Sequence, residues 1–249
     1  MTRRFSMLHG FTGTTDSWAE VIARLGPEVD ARAEALFGHH RSLRDVSTPT
    51  FEGEVGRLAA RIRDRGPTPV ELVGYSMGAR LALGLLVRHP SLVAGAWLIG
   101  VSPGLPSERE RAERRAADEE WARTLERDGI EPFVSAWERQ ELFASQAALP
   151  VPVQRRERAR RLSHPPHTLA RSLRALGLGA MPDLTPELRN VRAPVCLIAG
   201  EADAKFRAIA EVMANELPHA TVRIVPGSGH NVGLEQPEAL ASILMEVHT

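Results

Sequence analysis

Three residues of this chain have types and positions suited to acid–base or nucleophilic chemistry: a serine between glycines, an aspartate, and a histidine. Ser76 sits in Val73-Gly74-Tyr75-Ser76-Met77-Gly78, after the apolar run Val70 to Val73 and before the helix-forming run Ala79 to Val87. Gly-x-Ser-x-Gly between a strand and a helix reads as a sharp, strained turn that only glycines can flank. It lifts the hydroxyl clear of the backbone and aims the positive end of the following helix at it. A serine hydroxyl is a poor nucleophile or base at neutral pH, and needs an imidazole that is itself oriented by a carboxylate. Candidates are Asp203, in Ala199-Gly200-Glu201-Ala202-Asp203, and His230, in Pro226-Gly227-Ser228-Gly229-His230-Asn231. Each follows an apolar run. Asp203 also suits the N-cap of a helix starting near Lys205, and Glu201 is a rival acid.

Acyl or enolate chemistry also needs convergent backbone N–H donors for a developing oxyanion. Met77, directly after the serine, is one candidate. Phe11 is the other, in Leu8-His9-Gly10-Phe11-Thr12-Gly13 at the end of the first apolar run. Arg80 lies one helical turn beyond Ser76 and therefore on the same helix face. A cation there is unexpected beside a buried nucleophile.

The elements that must position these residues alternate. Strands are predicted near Arg4–Leu8, Val29–Leu36, Val70–Tyr75, Ala94–Val101, Val195–Gly200 and Val222–Val225. Helices are predicted near Ser17–Leu25, Glu52–Arg65, Met77–Arg88, Lys205–Leu217 and Pro237–Val247. Such alternation predicts an α/β fold, with a mostly parallel sheet of about six strands and helices on both faces. Sites in such sheets lie at the carboxyl ends of the strands, where every residue singled out above falls. Between Pro103 and Pro182 the alternation stops. Helical patterns run over Glu108–Arg127, Pro132–Phe143, Val153–Leu162 and Thr168–Leu176, punctuated by prolines. The expected organisation is a core of residues 1–102 and 182–249, with residues 103–181 as a helical cap inserted over the strand ends.

Composition narrows the field. The chain has 249 residues, of which 43% are hydrophobic, enough for one large α/β domain. Formal net charge is zero, which offers no bulk attraction for nucleic acid or an anionic membrane. Cys196 is the only cysteine, which excludes an internal disulfide and a cysteine-cluster metal site. The N-terminal residues form no apolar leader and no run is long enough to span a membrane. A cytoplasmic protein is expected, with no metal, no cofactor and no obligatory protein partner. Basic charge is almost wholly arginine, Lys205 being the only lysine.

The elbow, the acid and histidine that follow it in chain order, and the His-Gly-aromatic loop resemble the α/β-hydrolase fold over nearly the whole chain. The family's frequent Pro-Gly-His-Gly loop is reduced here to Phe37-Gly38-His39-His40. Further segments narrow the likeness: Gly74-Tyr75-Ser76-Met77-Gly78-Ala79-Arg80, Pro103-Gly104-Leu105, Ala112-Glu113-Arg114, Phe143-Ala144-Ser145 and Asp203-Ala204-Lys205-Phe206-Arg207. With these the chain resembles the 2-succinyl-6-hydroxy-2,4-cyclohexadiene-1-carboxylate synthases, lyases of menaquinone biosynthesis on this fold.

The resemblance implies a small anionic substrate, from which a ring proton and pyruvate are removed. It implies Ser76, His230 and Asp203 acting as a base, and Arg80, Arg114 and Arg161 binding carboxylates, with Tyr75 and Trp137 in the pocket. Arg156, Arg158 and Arg160 lie near enough to Arg161 to compete for its part. Taken alone in an arginine-rich stretch, Arg114 and Arg161 suit a solvated helix face better, and only the resemblance turns them toward the site. Two other readings stand beside the lyase: a serine carboxylesterase for a small anionic ester, and a non-catalytic ligand receptor on a hydrolase scaffold.

Overall fold

The computed structural model describes residues 2–39 and 50–246. His40 and Val247, the ends of two segments named above, lie outside the described residues. Six strands form one parallel sheet: β1 (Arg3–Leu8), β2 (Val29–Glu34), β3 (Val70–Tyr75), β4 (Val93–Ile99), β5 (Val195–Gly200) and β6 (Ala220–Val225). Their spatial order is β2-β1-β3-β4-β5-β6. The chain thus winds outward from β1 in one direction, returns, and winds outward from β3 in the other. The crevice at that reversal is where an open α/β sheet offers a site.

Both faces of the sheet are covered, so its central strands carry apolar residues on both sides. All six residues of β5 are buried. Leu72, Leu98 and Leu197 face one side, where they pack with α2 (Phe51–Asp64), α3 (Met77–Arg88) and α8 (Ala204–Glu216). Val73, Trp97 and Ile198 face the other, against α1 (Ala19–Ile22), α9 (Val232–Glu235) and α10 (Pro237–Met245). The helix expected over Ser17–Leu25 is instead a 3-10 turn, Thr15–Trp18, followed by the short α1.

Between β4 and β5 the chain forms α4 (Glu108–Asp128), α5 (Ile130–Trp137), α6 (Val151–Leu162) and α7 (Pro166–Leu176). Ser107 starts α4 with a reciprocal capping box to Glu110. The pattern expected as one helix over Pro132–Phe143 divides into α5 and a 3-10 segment, Glu141–Ala148. These helices hold a core of their own, Ala122, Leu125, Phe133, Val134, Leu169, Ala170 and Leu173, against which Phe11 of the β1 loop is packed.

Phe133 is fully buried at the centre of that core. Phe133→Ala is expected to cost about 3–5 kcal/mol locally, through lost burial and the cavity left behind. Hydrogen exchange should accelerate in α4, α5 and α7 while β3 to β5 stay protected. Uniform acceleration across the sheet would show that the inserted helices have no separate core.

Candidate active site

Strand register assembles the site. Leu8, the last residue of β1, pairs with Gly74 of β3. The loop after β1 therefore runs alongside Tyr75 and Ser76. On the other flank Tyr75 pairs with Ile99, and the Ser76 N–H donates to the Ile99 carbonyl at 2.8 Å. Ser76 has φ 52° and ψ −110°, a left-handed conformation unfavourable for a side-chain-bearing residue. Its neighbour Gly78 lets β1 and α3 touch: a Cβ there would lie 2.1 Å from the Leu8 carbonyl oxygen. Met77 opens α3, so its N–H is one of the helix's unpaired N-terminal donors.

The Ser76 hydroxyl meets His230 Nε2 at 3.1 Å, and His230 Nδ1 meets Asp203 Oδ2 at 2.6 Å. With Asp203 ionised, Nδ1 carries the proton and Nε2 accepts from the hydroxyl. Histidine and aspartate are both buried. Asp203 divides its two oxygens between tasks, because Oδ1 accepts the Phe206 N–H at 3.2 Å and caps α8. Glu201 is exposed and accepts from Gly227 N–H at 3.1 Å instead. Gly100, with φ +59°, makes room for the imidazole, since a Cβ there would lie 2.6 Å from His230 Cε1.

A cavity of about 1040 Å³ opens over Ser76. Tyr75, Arg80, Arg114 and Trp137 line it, with Phe11 and Met77 at its base. Arg80 is partly buried and donates to the Leu176 carbonyl at 2.8 Å. The adjacent carboxylate, Asp118, is taken by Arg114 Nε at 2.9 Å. Loss of solvent, and then the neighbouring Arg114 charge, lower the Arg80 pKa to about 10. It remains a cation at neutral pH. Burial raises the Asp118 pKa, opposed by Arg114.

Arg161 departs from expectation. It is buried, but it does not line this cavity. It donates to Glu138 Oε1 and Gln146 Oε1 at 2.9 Å each, lies 5.3 Å from the centre of the Phe143 ring, and lines a smaller pocket with Phe11 and Tyr75. Two carboxylates, Glu138 and Glu157, hold it there. A basic residue that the sequence reading placed only within a motif, Lys205, does line the cavity. Its signal was its rarity as the one lysine among 31 basic residues. Ser145 also lines the cavity, with a buried hydroxyl that has no protein partner.

Behind the β1 loop lie three further imidazoles that no motif marked together: His9, His39 and His164, all buried. Burial lowers all three pKa values, that of His9 to about 4.

Among the described residues no group of three or more histidine, cysteine or acidic side chains could hold a metal ion, and no helix is long and apolar enough to cross a membrane. Residues 7–243 match the alpha/beta hydrolase family. A Bacillus subtilis (strain 168) protein provisionally named 2-succinyl-6-hydroxy-2,4-cyclohexadiene-1-carboxylate synthase is 36% identical, over 97% of this chain and 89% of its own length. The 2-succinyl-6-hydroxy-2,4-cyclohexadiene-1-carboxylate synthase of Enterobacter sp. (strain 638) is 32% identical, over 96% of this chain and 89% of its own. Among solved structures, MenH from S. aureus superposes with a TM-score of 0.94 at 32% identity, covering 98% of this chain and 92% of that one.

The buried imidazoles give folding a definite pH dependence. An unfolded histidine titrates near 6.5 and these titrate lower, so the unfolded chain binds more protons and stability rises with pH. Their contribution is complete above pH 6.5 and is lost as pH falls through each lowered folded-state value, which for His9 is about 4. His9 alone contributes about 3 kcal/mol across its shift from 6.5 to about 4. Urea midpoints measured from pH 7 to pH 4.5 should fall, and fall less in His9→Gln; equal slopes would place His9 in solvent.

Proposed function

The chain belongs to the α/β-hydrolase family, and we propose that it uses this fold as a carbon–oxygen lyase. It is the 2-succinyl-6-hydroxy-2,4-cyclohexadiene-1-carboxylate synthase reaction of menaquinone biosynthesis, as in the relatives matched over nearly the whole chain. The substrate is 2-succinyl-5-enolpyruvyl-6-hydroxy-3-cyclohexene-1-carboxylate. A base removes the proton at ring carbon 2, beside the succinyl ketone. The electron pair forms the 2,3 double bond, the 3,4 double bond moves to 4,5, and the carbon 5–oxygen bond breaks. The departing enolate takes a proton at its methylene carbon and becomes pyruvate. The step is redox-neutral and balances without a metal or organic cofactor.

In this reading Ser76 removes the ring proton, passing its own to His230 Nε2, while Asp203 holds the Nδ1 proton and stabilises the imidazolium. No carbonyl is attacked and no acyl-enzyme forms. Negative charge grows on the succinyl ketone oxygen, where the N–H groups of Phe11 and Met77 would receive it. Residues 103–181 act as the cap, bringing Arg114 and Trp137 over the ring.

Arg80 carries the reading. A cation held in the cavity wall beside the base, sharing its one neighbouring carboxylate with Arg114, is an electrostatic cost for an uncharged ester and a binding site for a carboxylate. The substrate has three carboxylates, and Arg80, Arg114 and Lys205 provide three cations in the same cavity. We assign Lys205 the place that resemblance gave to Arg161. The small anionic substrate and the biosynthetic relatives fit a cytoplasmic enzyme with no obligatory partner.

Incubation with the substrate should release pyruvate, and Ser76→Ala should lower kcat roughly 10²- to 10⁴-fold. Efficient turnover of p-nitrophenyl esters with an acyl-enzyme burst, and no pyruvate, would make the protein an esterase. Tight binding indifferent to Ser76→Ala, without turnover, would make it a receptor.

The cations should separate by burial. Arg80→Met is expected to raise KM roughly 10- to 100-fold, the loss of one charge-assisted contact of about 1.5–3 kcal/mol. Lys205→Met, at the solvated rim, should raise it only about three- to fivefold. An unchanged KM in either variant removes that residue from the carboxylate set.

A further inference from the structure

We infer that His39 and His164 are positioning residues that set the oxyanion donor Phe11 by gripping Thr12 from both sides of its backbone. The inference rests on the lyase reading, in which that donor receives the ketone oxygen's charge.

Thr12 has φ 64°, and among the described residues it and Ser76 are the two non-glycine residues in left-handed conformations. A threonine does not hold that conformation unaided. Here its two backbone polar groups are each taken by an imidazole. The Thr12 N–H donates to His39 Nε2 at 3.1 Å, and His164 Nε2 lies 3.0 Å from the Thr12 carbonyl oxygen.

These partners fix both tautomers. His39 accepts at Nε2, so its proton is on Nδ1, which donates to the Phe37 carbonyl at 3.0 Å. His164 must carry its proton on Nε2 to donate to Thr12. Protonated His39 would turn an N–H toward the Thr12 N–H, so the grip requires a neutral ring. Burial provides that, by lowering the pKa of both.

The grip is itself anchored. Phe37 N–H donates to Glu54 Oε1 at 2.9 Å, and Gly38 lies so close to α7 that a Cβ there would come within 2.5 Å of the Thr168 carbonyl oxygen. The rings continue the contact: His39 lies 5.3 Å from His164 and 5.4 Å from Phe11, edge to face in both pairs. Phe11 directly precedes the gripped residue. Freeing Thr12 lets its peptide relax toward ordinary φ and turns the Phe11 N–H away from the substrate oxygen. The Phe37-Gly38-His39 loop, left without a part by the triad, acquires one.

The experiment compares His39→Leu, His39→Gln and His164→Leu in pyruvate release and thermal unfolding. The leucine variants should lower kcat roughly 10- to 100-fold, less than outright removal of an oxyanion donor, with KM within about threefold of wild type. His39→Gln restores an acceptor oxygen and should recover most of the loss. A leucine variant with kcat within about threefold of wild type, or a glutamine variant no better than leucine, would overturn the inference.

A second measurement needs no variant: ¹⁵N NMR of the wild-type imidazoles should find His39 protonated at Nδ1 and His164 at Nε2. Opposite tautomers overturn the grip even if the leucine chains do not fold. Wild-type protein that releases no pyruvate refutes the lyase reading instead, and the tautomers then decide the grip alone.

Discussion

The whole site depends on one backbone contact, the approach of the β1 carboxyl end to the start of α3. Parallel pairing aligns Leu8 with Gly74, and the absent side chain at Gly78 lets the Leu8 and His9 carbonyls lie against the helix. That approach puts the loop bearing Phe11 beside Ser76. It also puts Ser76 in a conformation that costs on the order of 1–3 kcal/mol by itself. The surrounding packing holds it there. Ala79, Leu81, Ala82 and Leu85 of α3 are buried, and β3 is paired on both sides, with Phe5–Leu8 of β1 and with β4. Strain at the serine is thus sustained by the core two layers around it.

Electrostatics then sets the chemistry that the turn can serve. Ser76, His230 and Asp203 would suit acyl transfer and proton abstraction equally, since both begin with a serine proton moving to the imidazole. The cavity distinguishes them. Arg80 keeps its charge despite desolvation, and Arg114 is shared with a buried aspartate whose own ionisation is opposed by burial. Two guanidinium groups served by one such carboxylate leave positive charge for a ligand to neutralise. A polyanionic ring fits that field, and the proposed reaction would direct its ketone to the N–H donors and its acidic carbon to the serine.

Much of this was legible in the sequence because strand ends are. Ser76, Asp203 and His230 each follow an apolar run, and in a parallel sheet the ends of such runs converge whatever their separation along the chain. The two readings of Asp203, base-orienting acid and helix cap, proved compatible, one oxygen serving each. What the sequence could not provide was rotational phase and partner choice on crowded helices. Arg155, Arg156, Arg158, Arg160 and Arg161 crowd one stretch of α6, and only three-dimensional packing shows that Arg161 turns toward Glu138 and Glu157. The 17–25 segment failed as a single helix for a related reason. Its Thr14–Ser17 capping interactions fold the first turn tightly before α1 begins. His39 and His164 were invisible as a pair, being 125 positions apart and brought together only by the fold, through Thr12 and through their own ring contact.

That last connection explains why substrate binding and charge stabilisation need not be tuned separately. Phe11 stacks edge-on against Trp137 at 5.3 Å and Phe133 at 6.3 Å, residues of α5. His164, in the turn between α6 and α7, holds the carbonyl one residue further along the same loop. The inserted helices that present Arg114 and Trp137 are therefore fastened to the loop carrying Phe11, by apolar contact on one side and by hydrogen bonding on the other. In the proposed reaction, carboxylate grip and oxyanion geometry thus belong to one packed unit, built against the sheet that carries Ser76 on its strained turn.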